Sequence, residues 1–319
     1  MAVSASGIVN LHAMPGVLLT NNYPDILNEQ FDKIKIRKWS TPVQGMDVFN
    51  VVKTSKDYIK HSYVTELGLL SKNDDEDSIP VDHPIQGYDN THTPVDYRGS
   101  IRITKRLRET DQFAVIAKMQ GALLQSAKDT VEYICADAFN TGFGTNASWL
   151  CADGGYLFDD STERRYEDAG EGNWSNLETA SALTQASLAT MRLNFRKTKN
   201  ERGLIKPIVM KKLIVPPDLE DKAYELIKSD KRAEDDMNAT NVYQNRFDIM
   251  VWDYLTDTNA FFGCGPKDES HELYFIWRVK PEVATYNAAD NPDVLVHRVR
   301  MSCVTGCDRP HNIRGNAGA

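Results

Sequence analysis

At 319 residues, with 41% hydrophobic and 26% charged side chains, the chain has the composition of an ordinary globular protein and the length for two domains or for one with large excursions. A formal net charge of −8 argues against a dedicated duplex-binding surface, whose affinity would come from Lys and Arg neutralising phosphates, and suits a surface that lives beside DNA without adhering to it. No apolar run approaches the roughly eighteen residues of a membrane span, the N-terminus lacks the basic start of a secretory signal, and five scattered cysteines make no disulfide framework. The chain therefore reads as intracellular, without a membrane partner and with its thiols mostly buried.

Residues 1–45 carry no sustained period, and they combine a basic patch, Lys33, Lys35, Arg37 and Lys38, with Ile26, Leu27, Phe31, Ile34, Ile36 and Trp39, which call for burial. This is the pattern of an arm; forty residues extended at about 3.3 Å each would reach on the order of 130 Å. From His61 to Leu107 the ends are strand-like and the middle is polar, as in a long hairpin or extended loop. Arms of about fifteen residues would project roughly 50 Å, and so thin a ribbon must rest on something. Its acidic tip, Asp74, Asp75, Glu76 and Asp77, reads either as a solvated turn or as the electrostatic mate of a basic surface on another copy.

Between Asp111 and Asn140 apolar residues recur at Phe113, Ile116, Met119, Leu123, Ala127, Val131, Ile134 and Ala138, which predicts a helix of about thirty residues and roughly 45 Å. Gly121 inside it marks a bend or a close packing contact. Residues 141–180 are rich in Gly, aromatics and carboxylates (Asp159, Asp160, Glu163, Glu167, Asp168) and read as a long, mostly solvated acidic insert. A second helix is expected from Leu183 to Arg196, followed by the turn Asn200-Glu201-Arg202-Gly203. In LIVPPDLEDKAYELIKS the run Leu213-Ile214-Val215 is a strand that Pro216-Pro217 must stop, after which Leu219, Ala223, Leu226 and Ile227 fall at helical spacing. The remainder alternates short strands with turns, ending in VLVHRVRMSCV from Val294.

Chemistry is hard to find. There is no phosphate-binding loop and no nucleophile elbow, and Gly263-Cys264-Gly265 lacks the third glycine of a dinucleotide fingerprint. The best metal candidates, Cys303, Cys307 and His311 with His297 upstream, are disfavoured, because a strand would hold the two thiols about 13 Å apart. No catalytic, cofactor or metal residue is assigned. What the chain offers is an arm, a projecting ribbon and a long rod, none able to bury its apolar surface in one small globule, and together these point to assembly.

In that order, arm, extended loop, long helix, mixed domain and returning strand, the chain resembles the major capsid protein of tailed bacteriophages with the Hong Kong 97-like fold, an α+β architecture. The resemblance is to the major head subunit of Mu-like phages in particular. It is carried by SLATMRLNFRKTKNERGLIKP, KKLIVPPDLEDKAYELIKS and VLVHRVRMSCVTGCDRPHNIRGNAGA. It implies an N-terminal arm over 1–45, a lead into the P-domain over 46–59 and an E-loop over 60–107. The P-domain would cover 108–204, with spine helix 111–140 and insert 141–180, the A-domain 205–285, and the returning P-domain strand and tail 286–319.

The implied function is a structural subunit, not an enzyme, that self-assembles as hexamers and pentamers into an icosahedral shell around double-stranded DNA. Binding of that DNA would not be sequence-specific, and the net negative charge would suit the inner wall. Further partners would be a portal, a separate scaffolding protein and a decoration protein, in a virion capsid assembled in the host bacterial cytoplasm. No cofactor is expected, and no propeptide is expected ahead of the arm. Candidate intersubunit contacts are Lys33, Lys35, Arg37, Lys38, Trp39, Asp74, Asp75, Glu76, Asp77, Arg102, Lys105, Arg106 and Arg108. Lysine–asparagine crosslinks through Lys60, Lys72, Asn287 or Asn291 are disfavoured for want of an activating carboxylate. Two other readings are an encapsulin-like shell around cargo and a cytoplasmic enzyme with its site in loop 141–180.

Overall fold

The double proline at 216–217 ends a strand and begins a helix in the computed structural model of the chain, which describes residues 43–70, 72, 79, 81–110, 115–144, 150–160, 173–200, 202–231, 240–268 and 271–319. Strand β6 (Lys212–Val215) stops at Pro216, a single 3-10 turn follows over Pro217–Leu219, and helix α4 (Glu220–Lys228) buries Ala223, Leu226 and Ile227. The other elements, in chain order, are β1 (Asn50–Lys53), β2 (Ile59–Val64), β3 (Gln86–His92), β4 (Val95–Thr104), α1 (Lys105–Thr110), α2 (Val115–Asn140), β5 (Leu177–Glu178) and α3 (Gln185–Arg196). After α4 come β7 (Asp248–Val251), β8 (Phe261–Cys264), β9 (Leu273–Asn287), β10 (Val294–Cys307) and β11 (Ile313–Asn316). Among the described residues no helix is long and apolar enough to cross a membrane.

The chain divides into two compact units, and α2, β9 and β10 each contribute residues to both. The described residues of the first unit are Val43, Val95–Thr110, Val115–Val131 and Arg278–Cys303. Its strands run in the order β9-β10-β4, with β10 antiparallel to β4 from Val294↔Thr104 to Cys303↔Val95. Ile103, Ile116 and Leu295 form its apolar centre. Below them Gln120 is fully buried, its amide 3.4 Å from His297 Nε2, while His297 Nδ1 lies 2.8 Å from Thr285 Oγ1. Burial, and then the charge of Arg108, pushes the His297 pKa down to about 4.

The second unit comprises Gln44–Pro94, Glu132–Trp277 and Val304–Ala319. Its five-stranded sheet runs β5-β11-β8-β6-β7, with β6 parallel to β7 and antiparallel to β8, and β8 antiparallel to β11. Helices α3 and α4 supply Leu188, Met191, Phe195, Leu226 and Ile227 to the core that also holds Leu213 and Val215. Helix α3 begins one residue after Thr184, which caps it in a reciprocal box with Ser187. A second cluster of aromatic rings joins Phe139, Phe158, Trp252 and Phe262 at centroid distances of 5.0–5.8 Å. The buried Glu132 carboxylate accepts the backbone N–H of Gln44 at 2.6 Å and of Gly45 at 2.9 Å. Gly45 has no room for more, since a Cβ there would sit 2.6 Å from Cys135 Cβ.

Several expectations need correction. The hairpin is not built from the two ends of His61–Leu107: β2 pairs with β3, and β4 joins β10 instead. The buried line of α2 runs through Ile116, Gln120, Leu124, Ala127, Val131, Cys135 and Phe139, so Met119, Leu123 and Ile134 lie beside it. A buried polar residue, Gln120, hides that line from a hydrophobicity count. A Cβ on Gly121 would meet nothing within 4 Å, so this glycine makes no close packing contact. Asp159 is no solvated loop residue: it is buried and accepts the backbone N–H of Tyr156 at 3.0 Å and of Asp160 at 2.9 Å. The five-stranded sheet draws β5 from the acidic insert and β11 from the C-terminal tail. The described part of the long helix starts at Val115, and 111–114 lie outside the described residues, as do the basic patch and Trp39 of the arm and the acidic tip Asp74–Asp77.

Candidate functional site

Strands β2 and β3 form a two-stranded ribbon, Ile59↔His92 to Ser62↔Asp89, with a register slip before Val64. Such a ribbon is marginal unless held. His61 and His92 are diagonal neighbours on it, ring centroids 5.4 Å apart, and both reach Asp308 at the end of β10. His61 Nδ1 lies 2.6 Å from Asp308 Oδ2 and His92 Nε2 lies 2.8 Å from Asp308 Oδ1. Burial alone would raise the Asp308 carboxyl, but the hydrogen bonds and charge of His92 and then His61 outweigh it and hold the group below its ordinary value. A second tie comes from Asn90, whose Nδ2 donates to the Cys307 carbonyl at 3.0 Å. A Cβ on Gly306 would fall 2.3 Å from the His92 ring, so this position admits only glycine. Beside the clamp lies a cleft of about 340 Å³, where Arg309 sits 3.3 Å over the Tyr63 ring and donates Nε–H to Glu272 Oε2 at 2.8 Å.

Beyond the ribbon the chain is held again at the base of its loop, by the turn that follows α3. Asn200 Oδ1 accepts the backbone N–H groups of Arg202 at 3.1 Å and Leu204 at 2.9 Å, and Gly203 takes the left-handed φ of +72° the turn requires. The turn then grips the loop. Asn200 Nδ2 donates to Glu66 Oε2 at 2.9 Å, Lys206 pairs with the same carboxylate, and Arg202 Nη2 donates to the His83 carbonyl at 2.6 Å. Lys206 and then Asn200 hold the Glu66 carboxyl below its ordinary value, and the Gly68 N–H, at 2.7 Å, is the main cause of the same shift at Asp82.

What this double anchorage presents is aliphatic. Leu69 is 81% exposed, Leu70 100%, Ile79 85% and Val81 75%, and Val64, Leu67 and Ile85 are exposed as well. Scattered exposed aliphatics are ordinary, and among the described residues seven of them fall between Val64 and Ile85. Each such side chain would contribute about 1.5–3 kcal/mol if fully buried.

Of the basic contact candidates, Arg102 pairs with Asp290, Lys105 Nζ lies 3.9 Å from Asp293 Oδ1, and Arg108 Nη2 donates to the Asp293 carbonyl at 3.1 Å. Arg106 is exposed on α1. Lys60 does have a carboxylate beside it, Asp89 at 2.6 Å. The proposed quartet of metal candidates does not come together. Cys303 and Cys307 are both strand residues, His297 is bound to Gln120 and Thr285, and His311 stacks on Trp174 at 4.1 Å. All five cysteines are buried and none is in a disulfide, and burial pushes the Cys303 thiol up to about 12. Among the described residues the side chains grouped closely enough to ligate an ion are His61, His92 and Asp308. Their sequence separations of 247 and 216 residues kept them out of any motif.

The family model described as phage capsid protein matches residues 88–315. A comparison with curated proteins returns no match. Among solved structures the chain is similar to one from Microbacterium phage Oxtober96, with 11% identity, 88% of this chain and 92% of that one covered, and a TM-score of 0.53. It is similar also to the capsid of the native GTA particle, with 9% identity, 86% and 90% covered, and a TM-score of 0.55. A third is the bacteriophage JBD30 capsid decorated with minor capsid protein trimers, with 13% identity, 68% and 92% covered, and a TM-score of 0.51. At these identities the likeness is one of fold, the Hong Kong 97-like α+β architecture.

Proposed function

Because the chain belongs to the phage capsid protein family, we propose that it is the major head subunit of a tailed phage and that the ribbon and loop over 59–92 are the part each copy lays on its neighbours. The observation that carries this reading is the row of exposed aliphatic side chains at Leu69, Leu70, Ile79 and Val81 on a loop anchored at two places within its own chain. An apolar surface held out in this way favours burial against another copy, and many such modest contacts add up when a shell closes.

The finer roles follow from that premise. Hexamers and pentamers of the chain form a closed shell around double-stranded DNA, assembled in the bacterial cytoplasm with a portal and a separate scaffolding protein. Minor proteins decorate it, as in the JBD30 capsid. Within the family it stands beside the Mu-like head subunits, on the strength of the stretches Ser187–Pro207, Lys211–Ser229 and Val294–Ala319. The unit built on the β10–β4 pair and the first half of α2 is the P-domain, and the five-stranded sheet belongs to the A-domain. Arg102, Lys105, Arg106 and Arg108 accept the acidic tip of a neighbour. The carboxylate partners of Arg102 and Lys105 form exposed surface pairs, worth about 0–1 kcal/mol and readily exchanged.

Negative-stain microscopy of the purified chain tests the reading. It predicts closed shells for the wild type and small soluble species for a Leu69→Asp, Leu70→Asp variant. Discrete small oligomers of the wild type, or shells unaffected by the double substitution, would contradict it.

A further inference from the structure

We propose that His61, His92 and Asp308 form a site for a divalent transition metal ion of the zinc class, which fastens the ribbon to the end of β10. Three segments far apart in sequence converge there, each offering one ligand atom, and the three atoms lie within 4.8 Å of one another. Two imidazoles and a carboxylate are donors that suit zinc, cobalt or nickel, whereas calcium and magnesium prefer all-oxygen sets.

The geometry needs little change to admit an ion. The nitrogen–oxygen contacts of 2.6 and 2.8 Å are hydrogen-bond distances. Ligand atoms about 2.0–2.1 Å from a tetrahedral ion stand roughly 3.3 Å apart, so a shared ion needs the two imidazoles, which contact different Asp308 oxygens, to turn onto one of them, the retained contact opening by about 0.5–0.7 Å. Neutral imidazoles supply the lone pairs by carrying their protons on the far ring nitrogens, His61 Nε2 and His92 Nδ1. The remaining coordination positions are taken by water from the adjoining cleft of about 340 Å³, which Tyr63, Glu272 and Tyr274 line. Gly306 leaves the His92 ring its place, and the Tyr274 ring, 5.0 Å from that of His61, fixes the other imidazole.

An ion here would do what the hydrogen bonds do, with greater strength. It would close loops of more than two hundred residues, the separations of His92 and His61 from Asp308, and stiffen the base from which the aliphatic loop projects. The site lies within one chain and owes nothing to shell formation, so it is tested on unassembled protein and stands or falls apart from the capsid reading.

The experiment uses the full, untagged chain stripped with a chelator and titrated with Co²⁺, followed by Zn²⁺. Expected are saturation at about one equivalent of Co²⁺ with visible d–d absorption, displacement by Zn²⁺, and a rise in unfolding temperature with Zn²⁺ that Mg²⁺ does not reproduce. His92→Gln and Asp308→Asn should each weaken Co²⁺ binding at least tenfold. His61→Gln, at a partly exposed position, should weaken it similarly while leaving the circular dichroism of the metal-free chain unchanged. No stoichiometric uptake by the wild-type chain, or equal uptake by the wild type and His61→Gln, would overturn the proposal.

Discussion

In their described residues, the stretch 304–319 and the loop from Val64 to Ile85 both lack an α-helix and both mix polar residues with isolated aliphatics, yet they end in opposite places. In the C-terminal stretch polar side chains go inside and find partners there: Arg314 Nη1 donates to the Ser175 carbonyl at 3.0 Å and to Glu178 Oε1 at 3.1 Å. Asn316 donates to the Thr179 carbonyl at 2.9 Å and accepts the N–H of Gly318 at 2.8 Å. In the loop aliphatic side chains stay outside with no cover, up to the complete exposure of Leu70. The tail completes a sheet and so serves folding, whereas the loop, on the proposed function, leaves its apolar surface for a neighbouring copy to bury.

The largest effect should come from the tail. Arg314→Ala removes the charged partner of the buried Glu178 carboxylate, leaving it the amide of Asn194, and should cost about 3–5 kcal/mol in denaturant unfolding of the isolated chain. A loss under 1 kcal/mol would mean the tail is an ornament on the sheet. Next comes the loop. Leu69→Ser with Leu70→Ser should change the stability of the isolated chain by no more than about 0.5 kcal/mol while sharply lowering the yield of shells in sedimentation. If the chain itself lost its cooperative transition, the division of labour drawn here would fail.

A smaller effect should follow pH. Glu66 and Asp82 have folded pKa values below their ordinary 4.5 and 3.8, so their hold on the loop is complete above those values and is lost as pH falls through the lowered ones. Proteolysis within 66–85 of the unassembled chain should therefore accelerate in acid below the ordinary carboxylate range, and Glu66→Gln should bring that onset to neutral pH. His297 gives acid a separate route. Its folded pKa of about 4 lies below the ordinary 6.5, so its unit is most stable above that value and loses on the order of 2 kcal/mol between the two as the unfolded chain takes up a proton. His297→Gln should flatten the stability profile in that window. The smallest effect belongs to Gly121→Ala, which touches neither region. With open space for its Cβ on a helix, it should stabilise by about 0.5–1 kcal/mol.

How far the sequence carries depends on how local the cause is. Pro216 and Pro217 act on their own backbone, and the strand–helix corner forms where they place it. Thr184 and Ser187 cap α3 from three residues apart. Where partners are distant, legibility fails. Asn312, Arg314 and Asn316 are residue types expected at the surface, and only β8 and residues 175–181, far off in the chain, make their burial intelligible. Gln120 misleads in the same way, because the polar groups that go in with it, His297 and Thr285, come from two other strands. Leu69, Leu70, Ile79 and Val81 also escaped the sequence reading, since single aliphatic residues in a polar stretch carry no period.

The central claim is that neighbouring copies cover the loop's aliphatic side chains in a closed shell. Maleimide labelling of a Leu70→Cys chain tests it directly, because all five native thiols are buried. The account predicts rapid reaction in the dissociated chain and protection of at least tenfold in purified shells. Equal reactivity in the two states would contradict it.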